Sequence, residues 1–356
     1  MSVSFYPLRV CAIEPDTAEA VIVSFEVPPE LRQVFGFIQG QYLTLRTTID
    51  GQDVRRSYSI CAAVDDAHLR VGVRRVNGGL FSNWIHSSLK VGDTIQVMAP
   101  QGRFYVPLDP ASQRHYLAVA GGSGITPILS IMKTALAREP HSRFTLLYGN
   151  RSRADTLFGA ELERLQARYP ERLRLLLVYS REAQAAAGQR GHIDAARCDA
   201  LFAGDLPVAE LDAAFLCGPQ AMTATVRDAL QRHGLAAERI HCELFSVAEG
   251  ASAGAPAAPA TQTPSQVTLI CDGRRHSFAL AADGPSILDA GLAQALDLPY
   301  SCKAGVCATC KCRLVEGEVA MDANYALEAA EVAAGYVLCC QAHPRSATVV
   351  LDFDQP

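Results

Sequence analysis

The sequence predicts a multidomain chain: a small antiparallel β-barrel, an α/β domain built on a parallel sheet, and a small cysteine-centred domain. Three observations carry this. Residues 1–110 hold short Val-, Ile-, Phe- and Tyr-rich runs between turn signals. Residues 111–246 alternate apolar runs with helical stretches. Near the far end, Cys302, Cys307 and Cys310 stand in a C-x4-C-x2-C run, the spacing that holds a [2Fe–2S] cluster of the plant type.

The 356 residues, 49% of them apolar, have room for two or three domains with their own cores. The start, Met1-Ser2-Val3-Ser4-Phe5, has no basic segment leading into an apolar one. No apolar run reaches the ~18 residues of a membrane span. Twelve cysteines without an export signal fit a reducing cytoplasm. The net charge of −5 falls entirely on residues 265–356, with eleven acids and six bases, an acidic face that would suit a basic protein partner. No basic tract suggests nucleic acid.

In the first domain, Asp50-Gly51, Asn77-Gly78-Gly79 and Val91-Gly92-Asp93 are turn signals. Strand periodicity over Val54 to Ile60 puts Arg56 and Tyr58 on one face and Ser57 and Ser59 on the other. A guanidinium beside a phenol ring suits a ligand with a phosphate and a flat ring.

In the second domain the predicted strands are Tyr116 to Ala120, Phe144 to Tyr148, Leu173 to Tyr179 and Ala213 to Leu216. Gly121-Gly122-Ser123-Gly124-Ile125-Thr126-Pro127 follows the first of them. Its glycines permit close backbone approach, and Pro127 suits the first helical position, whose helix would offer free N–H groups to a pyrophosphate. The ends of the second and third strands, Asn150-Arg151 and Ser180-Arg181, carry no acid for a ribose 2′-hydroxyl. Arg181 and Arg190 would suit a 2′-phosphate, which points to NADPH, with NADH the alternative.

Residues 247–264 are Ala, Gly, Ser, Pro and Thr with few exceptions and read as a flexible linker. Residues 265–356 begin with a hairpin, Val267 to Ile270, turn Cys271-Asp272-Gly273, and a strand to Leu280. Ser286 to Leu296 has helical spacing, and Cys312 to Glu316 reads as a strand after the cysteine run. A structural zinc site also takes four cysteines, but usually as two C-x2-C pairs, and only one is present. Cys339 and Cys340 are both open as the fourth ligand. Cys11, Cys61, Cys198, Cys242 and Cys271 have no ligand spacing and read as small buried hydrophobes.

Arg56-Ser57-Tyr58-Ser59 and Val73-Arg74-Arg75-Val76-Asn77-Gly78-Gly79-Leu80-Phe81-Ser82 resemble the two flavin segments of the ferredoxin–NADP reductase superfamily. Gly121 to Pro127 and Cys217-Gly218-Pro219 resemble its two nicotinamide segments, and Ile240 to Phe245 its last strand. The resemblance implies that Arg56, Ser57, Val73, Arg75 and Gly79 to Ser82 (with Leu80 and Phe81) hold FAD. Tyr58 would lie against the flavin ring and Ser59 near its N5. Gly121, Gly122, Ser123, Gly124, Thr126, Pro127, Gly218 and Pro219 would hold the dinucleotide, with Ser180, Arg181 and Arg190 at the 2′-phosphate. Cys217 would approach the nicotinamide, and Glu243 and Phe245 the flavin.

The last domain resembles a plant-type ferredoxin of β-grasp fold. In such domains the final ligand follows the C-x2-C pair after 29 residues and precedes a glutamine. Here Cys310 and Cys340 leave 29, and Gln341 follows, which implies Cys302, Cys307, Cys310 and Cys340 as ligands. Phe5-Tyr6-Pro7-Leu8, Gly40 to Arg46 and Met321 to Leu327 are similar to reductase components of multicomponent di-iron oxygenases. That resemblance implies electron flow from NADPH through FAD and the cluster to oxygenase subunits, with no residue needed as acid or base in the outward step.

Overall fold

The structure, a computed structural model, describes residues 4–245 and 264–355. The stretch read as a linker therefore lies almost wholly outside the described residues. Two compact units are formed. One gathers residues 4–6, 55–57, Phe245 and 264–355, and the other Pro7–Val54 with Tyr58–Leu244.

The chain begins with β1 (Phe5–Thr17), β2 (Ala20–Glu26), β3 (Tyr42–Ile49), β4 (Gln52–Ser59), β5 (Leu69–Arg74), α1 (Leu80–Ser87) and β6 (Thr94–Met98). The strands form one six-stranded sheet in the order β4-β3-β6-β1-β2-β5. Just beyond β4, Ile60 bridges Val71 of β5, so the sheet's two edges meet. Closure into a barrel leaves few unpaired backbone groups at an edge. The β3–β4 hairpin turns at Asp50 and Gly51, with φ of 50° and 77°. Positive φ at both central residues is what a two-residue turn of matching twist requires. Leu8, Val10, Leu43, Leu45, Val71 and Val97 are fully buried and fill the interior.

Next come β7 (His115–Gly121), α2 (Ile125–Arg138), β8 (Arg143–Asn150), α3 (Gly159–Arg168), β9 (Leu173–Tyr179), α4 (Ala195–Ala203), β10 (Ala213–Cys217), α5 (Gln220–Arg232) and β11 (Ile240–Glu243). All five strands are parallel, in the order β11-β10-β7-β8-β9. Central β7 is apolar on both faces, as a strand covered on both sides must be. Tyr116, Ala118 and Ala120 face a core with Ile125, Leu129 and Met132 of α2 and Leu162 of α3. Leu117 and Val119 face the other way, toward Cys198 and Phe202 of α4 and Val226 and Leu230 of α5. Every carboxyl-terminal strand end thus reaches the same edge, where open α/β sheets bind their ligands.

The helix after the glycine loop starts earlier than expected. A 3₁₀ turn over Gly122–Gly124 leads into α2 at Ile125, so Pro127 is its third residue rather than its first. The first four N–H groups of a helix lack intrahelical partners, so a proline there removes no bond.

The remaining unit contains β12 (Ser265–Cys271), β13 (Arg274–Leu280), α6 (Ile287–Ala293), β14 (Lys311–Glu316), β15 (Val319–Met321), α7 (Ala329–Ala333), β16 (Tyr336–Leu338), β17 (Ala342–Pro344) and β18 (Thr348–Asp352). Its mixed sheet runs β13-β12-β18-β14-β16, with β15 and β17 a separate pair. Ile287 and Leu288 of α6 pack on Val267, Leu269 and Leu351 of that sheet. Ser286 caps α6 by accepting from the Asp289 N–H at 3.2 Å. The helix ends at Ala293, not Leu296, because Ala295 takes a left-handed φ of 59° and the Leu296 N–H turns back to the Gly291 carbonyl.

Candidate functional site

The two glycine-rich turns at the carboxyl edge of the parallel sheet lie against each other. A Cβ on Gly124 would sit 2.1 Å from the Cys217 carbonyl oxygen, and one on Gly121 would sit 2.6 Å from Pro219. Only hydrogen side chains permit that approach. Gly122 takes φ +53°, and its carbonyl accepts from the Tyr148 hydroxyl at 2.9 Å. Thr126 Oγ1 donates to the Ser123 carbonyl at 3.0 Å. The start of α2 is thereby held at the edge of the sheet, where an anion site would lie, although the Ile125 N–H is engaged by the Gly122 and Ser123 carbonyls. Beside Gly122 stands the Arg74 guanidinium, 3.2 Å from where a Cβ would be. Glu19 accepts from Arg74 at 2.9 Å and from Arg151 at 2.7 Å, which fixes both cations.

At the neighbouring strand tips, the Ser180 N–H donates to the Asn150 carbonyl and the Arg181 N–H to the Arg151 carbonyl. Arg181 and Arg190 are exposed. Arg190 pairs with Tyr179 in an isolated parallel bridge, and its Nε donates to the Ala185 carbonyl. Against the expectation of a tip without an acid, Glu182 stands next to Arg181 and accepts from the Arg153 N–H at 3.1 Å. A groove of about 580 Å³ runs beside Arg190 along β9, between Leu176, Val178, His192 and Leu201.

In the barrel, Tyr58 lies 6.0 Å from Phe81, ring centre to ring centre. Gly79 leads into α1, and a Cβ there would lie 2.8 Å from Ser82 Oγ. Ser82 Oγ accepts from the Val76 N–H at 3.1 Å and donates to the Gly79 carbonyl, so the turn is braced from within. Val73 is buried, while Arg75 and Leu80 are exposed. On β4, Arg56 is exposed, Ser57 and Tyr58 half-buried and Ser59 buried.

Ser59, Cys217 and Glu243 converge. Ser59 Oγ donates to Glu243 Oε2 at 3.3 Å. Glu243 pairs in register with Cys217 across β10 and β11. Burial pushes the Glu243 carboxyl up to about 8, only partly opposed by the Ser59 hydrogen bond. Burial, with the Glu243 charge second, likewise raises the Cys217 thiol. At neutral pH both groups therefore stay mostly protonated. Phe245 is 42% exposed and lies in the other unit.

In the cysteine-centred unit, the four expected sulfurs meet in two pairs. The Cys307 thiol hydrogen-bonds Cys302, and that of Cys310 hydrogen-bonds Cys340. The Cys307 contact, helped by the N–H groups of Ala304, Val306 and Cys307, holds Cys302 below the ordinary thiol range. Cys340 is lowered by Cys310 first, then by the Gln341 amide and the Gly305 N–H. Lys303, Gly305 and Ala308 adopt φ of 53°, 73° and 54°, the left-handed turns that aim these N–H groups inward. Cys339 is fully buried and turns instead to Cys312, in the core. Among the described residues, no group of three or more His, Cys, Asp or Glu is placed to hold a single metal ion.

Comparison with known proteins places these features. An oxidoreductase FAD-binding domain matches residues 8–105, an oxidoreductase NAD-binding domain 118–228, and a 2Fe–2S iron–sulfur cluster binding domain 269–345. One component of the 1,2-phenylacetyl-CoA epoxidase of Escherichia coli (strain K12) is 43% identical over 99% of this chain and 98% of its own. The chain belongs to the ferredoxin-reductase-type components of oxygenase systems. The reductase is also 33% identical, over 97% of its length and 96% of the relative's, to the ferredoxin reductase component of the 3-ketosteroid-9-alpha-monooxygenase of Rhodococcus rhodochrous. Phthalate dioxygenase reductase, described as a modular structure for electron transfer from pyridine nucleotides to [2Fe–2S], matches at TM-score 0.61 and 25% identity over 98% of both chains. The reductase is an oxidoreductase with FAD, NAD and [2Fe–2S] domains, and its antiparallel, parallel-sheet and ferredoxin folds are those the sequence predicts.

Two cysteines depart from expectation. Cys242 is exposed and Cys11 half-buried, each a position on β11 or β1 that is not enclosed as Cys61, Cys198 and Cys271 are. Arg74 and Tyr148 escaped sequence reading, since both act on a glycine turn distant in sequence; Arg74's adjacency to Arg75 was the one available signal.

Proposed function

We propose that this reductase draws electrons from NADPH and delivers them to the di-iron oxygenase subunits that epoxidise phenylacetyl-CoA in aerobic phenylacetate degradation. The 43% identity over 99% of the chain to a component of such an epoxidase carries the reading. Phe5 to Leu8, Gly40 to Arg46 and Met321 to Leu327 resemble the same component. A cytoplasmic location fits the twelve free cysteines, and no described helix is long and apolar enough to cross a membrane.

Bound FAD and a [2Fe–2S] centre would supply the conversion of a two-electron donor into single electrons, so the protein's part is placement and tuning. Gly79 to Ser82 with Arg56 and Arg75 would hold the FAD phosphates, and Tyr58 would cover the ring. Gly121 to Pro127 and Gly218-Pro219 would hold the nicotinamide nucleotide, with Ser180, Arg181 and Arg190 at its 2′-phosphate. The protonated Glu243 would keep the Ser59 hydroxyl oriented beside Cys217. Cys302 with Cys307, and Cys310 with Cys340, would each take one iron; two thiol pairs suit two irons better than one zinc.

The deciding measurement is NADPH oxidation by the reductase mixed with the epoxidase's oxygenase subunits, with and without phenylacetyl-CoA. Substrate-dependent oxidation matched by product is expected; flavin and cluster reduction without coupling would remove this acceptor. Replacing Arg181 with Ala should cut the preference for NADPH over NADH about tenfold, as the loss of one charge-assisted phosphate contact implies. An unchanged kcat/KM ratio would instead leave the 2′-phosphate assignment without support.

A further inference from the structure

Gln341 served the sequence only as a landmark after the last cysteine, yet its side chain ties the two ends of the ligand set together. Its Nε2 lies 3.1 Å from the Lys303 carbonyl, 3.0 Å from the Cys340 carbonyl and 3.5 Å from Cys340 Sγ. One amide thus joins the segment of the first ligand to the last ligand across 38 residues of chain. Its own backbone is pinned on both sides, its N–H to the Leu338 carbonyl and its carbonyl to the Asp322 N–H, each at 2.9 Å. Its Cγ rests against Gly305, where a Cβ would lie 3.3 Å away and also 3.1 Å from the Ala323 carbonyl. The Gly305 carbonyl is held by the Tyr325 N–H at 3.1 Å.

Resting on the assignment of Cys302, Cys307, Cys310 and Cys340 as cluster ligands, we propose that Gln341 is a positioning residue that closes the ligand loop and sets the cluster's reduction potential. Two physical effects follow from the contacts. The bond to Lys303 holds a non-glycine residue in a left-handed conformation, which is unfavourable when unsupported. A donor beside a ligand sulfur favours the state with the extra electron, because hydrogen bonds to the more negative form are stronger.

The test is EPR-monitored redox titration of the full-length holoprotein, with the rate of iron loss to a chelator measured in parallel. Gln341→Leu keeps the volume and removes the donors; Gln341→Glu keeps the shape and replaces a donor with an anion. Both variants should move the cluster midpoint to more negative potential, Glu further than Leu, and lose iron several-fold faster. Flavin reduction by nicotinamide nucleotide should be unchanged in both. If Gln341→Leu assembles no cluster, the near-isosteric Glu variant decides the matter. An unmoved midpoint, with or without faster iron loss, would reduce Gln341 to packing and overturn the tuning role. Wild-type protein without a [2Fe–2S] signal would bring down the ligand assignment and the proposal with it.

Discussion

At the scale of single residues, Glu243 makes the sharpest prediction. Its carboxyl is raised from 4.5 to about 8 by burial, so the folded protein binds a proton that the unfolded chain has already released between those values. Unfolding then releases a proton, and stability falls as pH rises from about 4.5 to about 8, levelling beyond. Glu243→Gln should match wild type in Tm near pH 5 and exceed it increasingly toward pH 8. A Tm difference that stays flat with pH would show that the carboxyl is not raised. Ser59→Ala leaves that carboxyl without its 3.3 Å partner, and slower flavin reduction by NADPH at unchanged flavin content is the expected result by stopped flow. Equal rates would leave Ser59 out of the chemistry.

Secondary-structure elements make a different kind of prediction, because the nucleotide edge is built from turns that exclude side chains. Gly124→Ala drives a methyl into the Cys217 carbonyl 2.1 Å away, and two backbone segments must part. A displacement near 1 Å at a reacting centre costs about a hundredfold in rate, so kcat/KM for NADPH should fall by about that factor with FAD retained. Tyr148→Phe removes the bond to the Gly122 carbonyl, worth about 1 kcal/mol, and should raise KM several-fold with little change in kcat. Normal kinetics in both variants would dissociate the glycine turn from nucleotide binding.

For the whole molecule, the division into two compact units predicts separable activities. Protein ending after Leu244 keeps the parallel sheet, the Ser59–Glu243 contact and every barrel strand, of which only residues 4–6 and 55–57 belong to the other unit. It should retain FAD and reduce ferricyanide at the full-length rate, yet fail to reduce a one-electron protein acceptor served by the cluster. Loss of flavin from that truncated chain would show the units to be interdependent. The acidic balance of residues 265–356 predicts that coupling to the oxygenase weakens as salt rises, while flavin reduction barely changes.

What the sequence determined alone was whatever is local. The C-x4-C-x2-C run, the Gly121 to Pro127 loop and the alternation of strands with helices need only neighbours along the chain, and their strands lie within a residue or two of expectation. Tertiary structure decided what depends on register between distant strands. Ser59 and Glu243 are 184 residues apart and meet only because β11 closes the edge of the parallel sheet beside the barrel. Spacing leaves Cys339 and Cys340 open; in the fold the turn after β16 sends Cys339 to Cys312 in the core and Cys340 to Cys310. The two cysteines lie in the turn just after β16, where no simple alternation assigns their side chains, and only the packed fold says which one meets Cys310.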